Sequence, residues 1–134
     1  MPRITAANIE ALMPFLETFE QSGFSSGTWH FPESDELGNI VAPYYSFSEA
    51  VCSFTRTLYD NGWVEPFDWV EWQAEANKYV DSPELIQSAD AETIRKLLTT
   101  HVRKDRFCEG HLNAMFEKGH ICALLQRLKQ ISTS

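Results

Sequence analysis

No apolar run in this chain approaches the ~20 residues that a bilayer-spanning helix needs, and Glu10, Pro14 and Glu17 interrupt the stretch that a secretory signal would occupy. None of the six glycines belongs to a phosphate-cradling loop, and no Ser, Cys or Thr stands in a recognised nucleophile setting. Cysteine is scarce. Cys52, Cys108 and Cys122 are odd in number and spaced like no disulfide framework, so they are expected as free thiols in a reducing compartment, with a cytoplasmic location. Bases are nearly missing from the first 93 residues, where Arg3, Arg56 and Lys78 face sixteen acids. From Ile94 onward the balance reverses, with eight Lys or Arg against Asp105, Glu109 and Glu117. Such a split serves internal pairing and solvation, or a surface that binds or imitates a polyanion.

What is present is apolar and strongly punctuated. The 134 residues are 43% hydrophobic, with nine Phe and four Trp, enough to offset the entropy of ordering one domain spanning 1–134. Thr5 is a cap for a first helix carrying Ile9, Leu12, Met13, Leu16 and Phe19 on one stripe, and Pro14 should kink or split it before Gly23. Periodicity then fades among Gly, Ser, Pro and acids, although 28–31 and 40–44 are candidates to pair as a short hairpin.

Ser46 with Glu49 reads as a capping box for a helix bearing Phe47, Val51, Phe54 and Leu58, closed by Asp60, Asn61 and Gly62. Asp68 with Glu71 opens the next, and Phe67 is placed to staple onto Trp72. Ser82 and Pro83 start a short helix, and Asp90 starts one running through Ile94, Leu97, Leu98 and Val102. Leu112, Met115 and Phe116 mark a short helix between Gly110 and Gly119, and Ile121, Leu124, Leu125, Leu128 and Ile131 mark the last. The expected fold is an all-α bundle of about six or seven helices, with a short β-hairpin possible within 28–44.

Gly62-Trp63, Phe67-Asp68-Trp69 with Trp72, Leu98-Thr99, Arg103 with Asp105-Arg106-Phe107, Glu109-Gly110, Gly119 and Arg127-Leu128 occur in an order that resembles a family of small bacterial proteins classed as a domain of unknown function. The resemblance covers roughly 44–130. It implies a bacterial or phage-borne cytosolic domain and brings no reaction, cofactor or catalytic residue with it.

The segment hardest to explain by core packing is 103–110, Arg-Lys-Asp-Arg-Phe-Cys-Glu-Gly. Arg103 and Arg106 beside a tight turn suit bidentate recognition of carboxylate or phosphate; alternatively they brace the fold by clamping Asp68, Glu71 or Glu109. Asp105, Glu109 and Gly110 complete this candidate anion-binding or structural turn. Trp63, Phe67, Trp69 and Trp72 are candidates for a core or an aromatic surface, and core packing is the commoner use. Cys108, His111, His120 and Cys122 have the composition of a zinc site, but their spacing lacks paired knuckles, and no metal or other cofactor is expected.

Asp68, Glu71, His101, Asp105 and His111 supply acid and base groups of ordinary abundance, so catalysis is the minority reading. Its best form is Asp105 or Glu109 with Arg106 in a cleft facing Trp69 and Trp72. A net charge of −8 disfavours nucleic acid, and Lys96, Arg103, Lys104, Arg106 and Lys118 match no common recognition helix. The expectation is a non-catalytic acidic module that contacts another protein, with no membrane. Its alternatives are a nucleic-acid-mimicking inhibitor of a defence or transcription complex, and an enzyme or small-anion receptor using Arg103 and Arg106. The aromatic content also leaves apolar surface for a homodimer.

Overall fold

Thr5 Oγ1 accepts the Asn8 amide hydrogen at 3.3 Å, and the Asn8 side chain accepts from Thr5 N at 2.8 Å, a reciprocal cap that begins α1 (Ala6–Glu10). Pro14 occupies the first turn of α2 (Met13–Phe19), where its missing amide hydrogen breaks no helical bond. The apolar stripe is therefore split at Ala11 and Leu12, yet Ile9, Leu12, Leu16 and Phe19 all stay buried. The computed structural model describes residues 4–31, 38 and 42–133.

β1 (Gly27–His30) pairs antiparallel with β2 (Tyr44–Phe47), Gly27 opposite Phe47 and His30 opposite Tyr44. The hairpin is present, but its second strand begins at Tyr44 instead of ending there; residues 40 and 41 of the expected strand lie outside the described residues. Pro43, which has no amide hydrogen for a ladder, stands immediately before it. The Ser46 cap is corrected by the same register. Ser46 lies opposite Thr28 in the ladder, and Ser48 instead accepts Val51 N at 3.4 Å to start α3 (Glu49–Asp60). Two serines bracket Phe47, and the strand claims the first.

Asp68 accepts Glu71 N at 3.1 Å and starts α4 (Trp69–Asp81), while Phe67 meets Trp72 nearly edge-on at 6.0 Å. Ser82 makes no side-chain cap, and Pro83–Ser88 winds as a 3₁₀ turn, so the expected serine cap fails there. Asp90 accepts Thr93 N at 2.8 Å at the head of α5 (Ala91–Asp105), and hydrogen bonding from the Thr93 side chain and then its amide holds the carboxyl below its ordinary pKa. α6 (His111–Glu117) and α7 (His120–Thr133) complete the order.

One buried cluster joins these helices. Ile94, Leu97 and Leu98 of α5 meet Ile121, Leu124, Leu125 and Leu128 of α7, with Val51, Phe54 and Leu58 of α3 closing the cluster. Full burial of each such side chain contributes about 1.5–3 kcal/mol. Phe19 forms perpendicular contacts with Phe54 and Phe116 at 5.1 and 4.9 Å, tying α2 to α3 and α6. Among the described residues no helix is long and apolar enough to cross a membrane.

Candidate functional site

The 103–110 segment is the end of α5 and the turn into α6, and its acids are committed to backbone amides. Asp105 Oδ1 accepts Leu112 N at 3.0 Å, satisfying a donor that the first turn of α6 leaves free. Burial raises the Asp105 pKa, while the amides of Leu112, Gly110 and His111 act in the opposite sense and nearby Glu109 adds to the rise. Glu109 Oε1 reaches across to the hairpin and accepts Tyr45 N at 2.8 Å. Gly110 has φ +92°, and a Cβ there would lie 2.6 Å from Trp29 Cζ2, so the indole rests where any other residue would place a methyl group. The turn thus carries the hairpin.

Arg103 is half-buried and Arg106 exposed, and among the described residues neither forms an ion pair; the clamp onto Asp68, Glu71 or Glu109 is not made. Arg106, with Asp105, Phe47, Cys52 and Tyr59, lines a recess of about 300 Å³ that Arg103 does not share. The four aromatics separate. Trp63 is fully buried, donates from Nε1 to Asn8 O at 3.0 Å and accepts at its carbonyl from Thr99 Oγ1 at 3.0 Å, locking α1 to α5. Phe67, Trp69 and Trp72 are half-buried. The Lys96 ammonium lies 5.9 Å from the Trp72 ring, and Trp69 meets the ring of Phe107 at 5.9 Å.

Beneath the turn, three helices are joined by a chain of imidazoles. His101 Nδ1 lies 3.0 Å from His111 Nε2, and His101 Nε2 lies 3.0 Å from His120 Nε2, linking α5, α6 and α7. A neutral His101 has one ring hydrogen, so it donates in one contact and accepts in the other, and the chain runs in a single direction. Burial above all, then the neighbouring histidines and Lys104, hold His101 well below its ordinary pKa. Burial with Lys104 and Lys118 brings His111 down to about 4, and burial with His111 and Lys118 brings His120 to about 4. The ring nitrogens face one another instead of converging on a point. Among the described residues no group of three or more His, Cys, Asp or Glu is arranged to hold a metal ion. Cys108 lies exposed on the turn, and Cys122 is half-buried on α7.

A second recess, of about 230 Å³, opens between the hairpin and α6. Phe24, Trp29, Tyr45 and Phe116 wall it, and Ser26, Asn113 and Glu117 supply polar atoms. Ser26 and Asn113 are each only 7% exposed, yet their side chains meet each other and the Tyr45 hydroxyl there. Sequence reasoning missed this set, because Ser26, Tyr45 and Asn113 lie far apart in the chain and form no motif. The histidines were visible singly, but only the packing of α5, α6 and α7 assembles them.

The model of the Family of unknown function (DUF6508) matches residues 4–134, and the chain belongs to that family. No curated protein and no solved structure matches the chain.

Proposed function

We propose that this family member is a non-catalytic module that docks a basic segment of another protein on the edge formed by the hairpin and the α5–α6 turn. One observation carries the reading: Phe31 and Phe107 are 74% and 77% exposed, and exposed Trp29 and Tyr44 accompany them on the hairpin. Large aromatic side chains left in water on a chain whose other Phe residues are buried or half-buried fit the anchors of a protein interface. The charge of the partner follows from the connection between the strands, since the α5–α6 turn itself carries Arg103, Lys104 and Arg106 and contributes its exposed ring instead. Residues 31–43, which join the two strands, contain Glu33, Asp35 and Glu36 and no Lys or Arg, within a chain of net charge −8.

The carboxylates of Asp105 and Glu109 are engaged in holding α6 and the hairpin, which supports a scaffold role for them over proton transfer. The test is photo-crosslinking in cells from a benzophenone amino acid placed at Phe31 or Phe107, with exposed Leu85 as the control position. Capture from both aromatic positions of one partner through a Lys- or Arg-rich segment is expected. Crosslinking no different from Leu85, or crosslinking to a second copy of the chain, overturns the reading, the latter in favour of a homodimer.

A further inference from the structure

We infer that the imidazole chain makes the mounting of the hairpin sensitive to acid: a proton taken up by His111 releases the first turn of α6, and the hairpin with it, while the α5–α7 core stays folded. The two devices share one short stretch of chain. His111 opens α6, and its Nε2 meets His101 Nδ1 at 3.0 Å. The residue before it is Gly110, on which the Trp29 indole lies. Glu109 accepts Tyr45 N at 2.8 Å, and Asn113 meets Ser26 and the Tyr45 hydroxyl. Residues 109–113 thus seat the hairpin, and whatever loosens His111 loosens that seat.

Proton counting shows how little charge the chain accepts. Three neutral imidazoles bring three ring hydrogens, of which two fill the two contacts and the third sits on an end nitrogen, Nδ1 of His111 or of His120. One added proton preserves both contacts only by taking the other end, and a second must break one. The groups around His111 are His101, the Lys104 ammonium and Asp105 from α5, Glu109 from the turn, Lys118 from the end of α6, and His120 from α7. The two carboxylates are engaged on Leu112 N and Tyr45 N, whereas both lysines oppose a charged ring. Burial with those lysines holds folded His111 at about 4, against about 6.5 for a histidine in water. Opening of the turn therefore takes up one proton between those values and becomes easier as pH falls. Asp105 acts in the opposite sense, because burial raises its pKa and its release would give up a proton. The yielding contact is the one to His111, which is half-buried on a helix of seven residues; His101 and His120 are 2% and 5% exposed on helices of fifteen and fourteen. The hairpin would respond in this way whether or not a partner docks on it.

Native-state hydrogen exchange of the full-length ¹⁵N-labelled protein at pH 7, 6 and 5, corrected for intrinsic rates, tests the coupling. One proton taken up on opening should raise the opening constants of the β1 and β2 amides about twentyfold from pH 7 to pH 5, with α5 and α7 more protected at each pH. His111→Gln keeps a hydrogen-bonding side chain without a titrating ring, and should flatten that rise to about twofold or less. Asp105→Asn, whose amide oxygen still accepts Leu112 N, should leave it in place. Hairpin opening independent of pH, one opening constant shared by hairpin and core, an undiminished rise in His111→Gln, or its loss in Asp105→Asn overturns the coupling. Should His111→Gln fail to fold, side-chain ¹⁵N shifts of the parent decide: His111 neutral in the folded state at pH 5 is expected, and His111 charged at pH 6 overturns it.

Discussion

The α5–α7 core and the hairpin edge are held by different physics. In the core, Leu97, Leu98, Leu124 and Leu125 are buried by aliphatic packing that any helix periodicity would place there. At the edge, a strand pair is held by one carboxylate on Tyr45 N, by an indole lying on Gly110 and by the contacts of Ser26 and Tyr45 with Asn113, and the rings of Phe31 and Phe107 remain in solvent. Stability resides in the first region; surface chemistry out of proportion to folding resides in the second. The contrast separates residues kept for packing from residues available for recognition.

The largest expected effect lies in the core. Leu125→Ala, at a fully buried position, should cost about 2–5 kcal/mol in urea unfolding, because the cavity adds to the lost transfer energy. A smaller loss than that of edge variants would erase the distinction between the regions. Next comes acid. An unfolded histidine takes its proton near pH 6.5, whereas folded His111 and His120 do so only at about 4, so the unfolded chain binds more protons between those values. The contribution of the histidine chain is complete above that window, falls as pH drops through it, and amounts to a loss on the order of 3 kcal/mol per histidine by pH 4. Unfolding free energies measured at pH 7, 5.5 and 4 should fall in that order; no change between pH 7 and 5 contradicts the neutral chain.

Two variants test how the edge is mounted. Gly110→Ala imposes a left-handed backbone on an L residue and drives a methyl group into Trp29, at a cost of about 1–3 kcal/mol. Hydrogen exchange should quicken along β1 and β2 while α5 and α7 keep their protection, and loss of protection everywhere would show the edge to be part of the core. Glu109→Ala removes the acceptor of Tyr45 N, with an expected loss of about 0.5–1.5 kcal/mol and faster exchange at that amide. Unchanged exchange there would mean that the indole on Gly110 and the bonds of Ser26 and Tyr45 to Asn113 hold the hairpin without Glu109.

Legibility in the sequence followed the same division. Caps act within three residues, so Thr5, Asp68 and Asp90 announced their helices, and Pro14 announced the split between α1 and α2. The apolar stripes of α5 and α7 named the buried leucines because helical spacing alone puts them on one face. Ser46 misled where two local signals competed, since a serine before an acid suits either a strand end or a cap, and pairing with Thr28 decided it. Neither the imidazole contacts nor the meeting of Ser26, Tyr45 and Asn113 was legible as a contact, although the histidines stood out singly. His101 and His120, or Ser26 and Asn113, become neighbours only when separate elements close on each other, and no spacing encodes that.

The central claim is that the aromatic edge is maintained apart from the demands of folding, and equilibrium urea unfolding of the Phe31→Ser, Phe107→Ser double variant tests it most directly. Both rings are largely in water already, so the predicted change is within about 0.5 kcal/mol of the parent, with the same denaturant slope. A loss comparable to that of Leu125→Ala would show these rings to be structural and contradict the account.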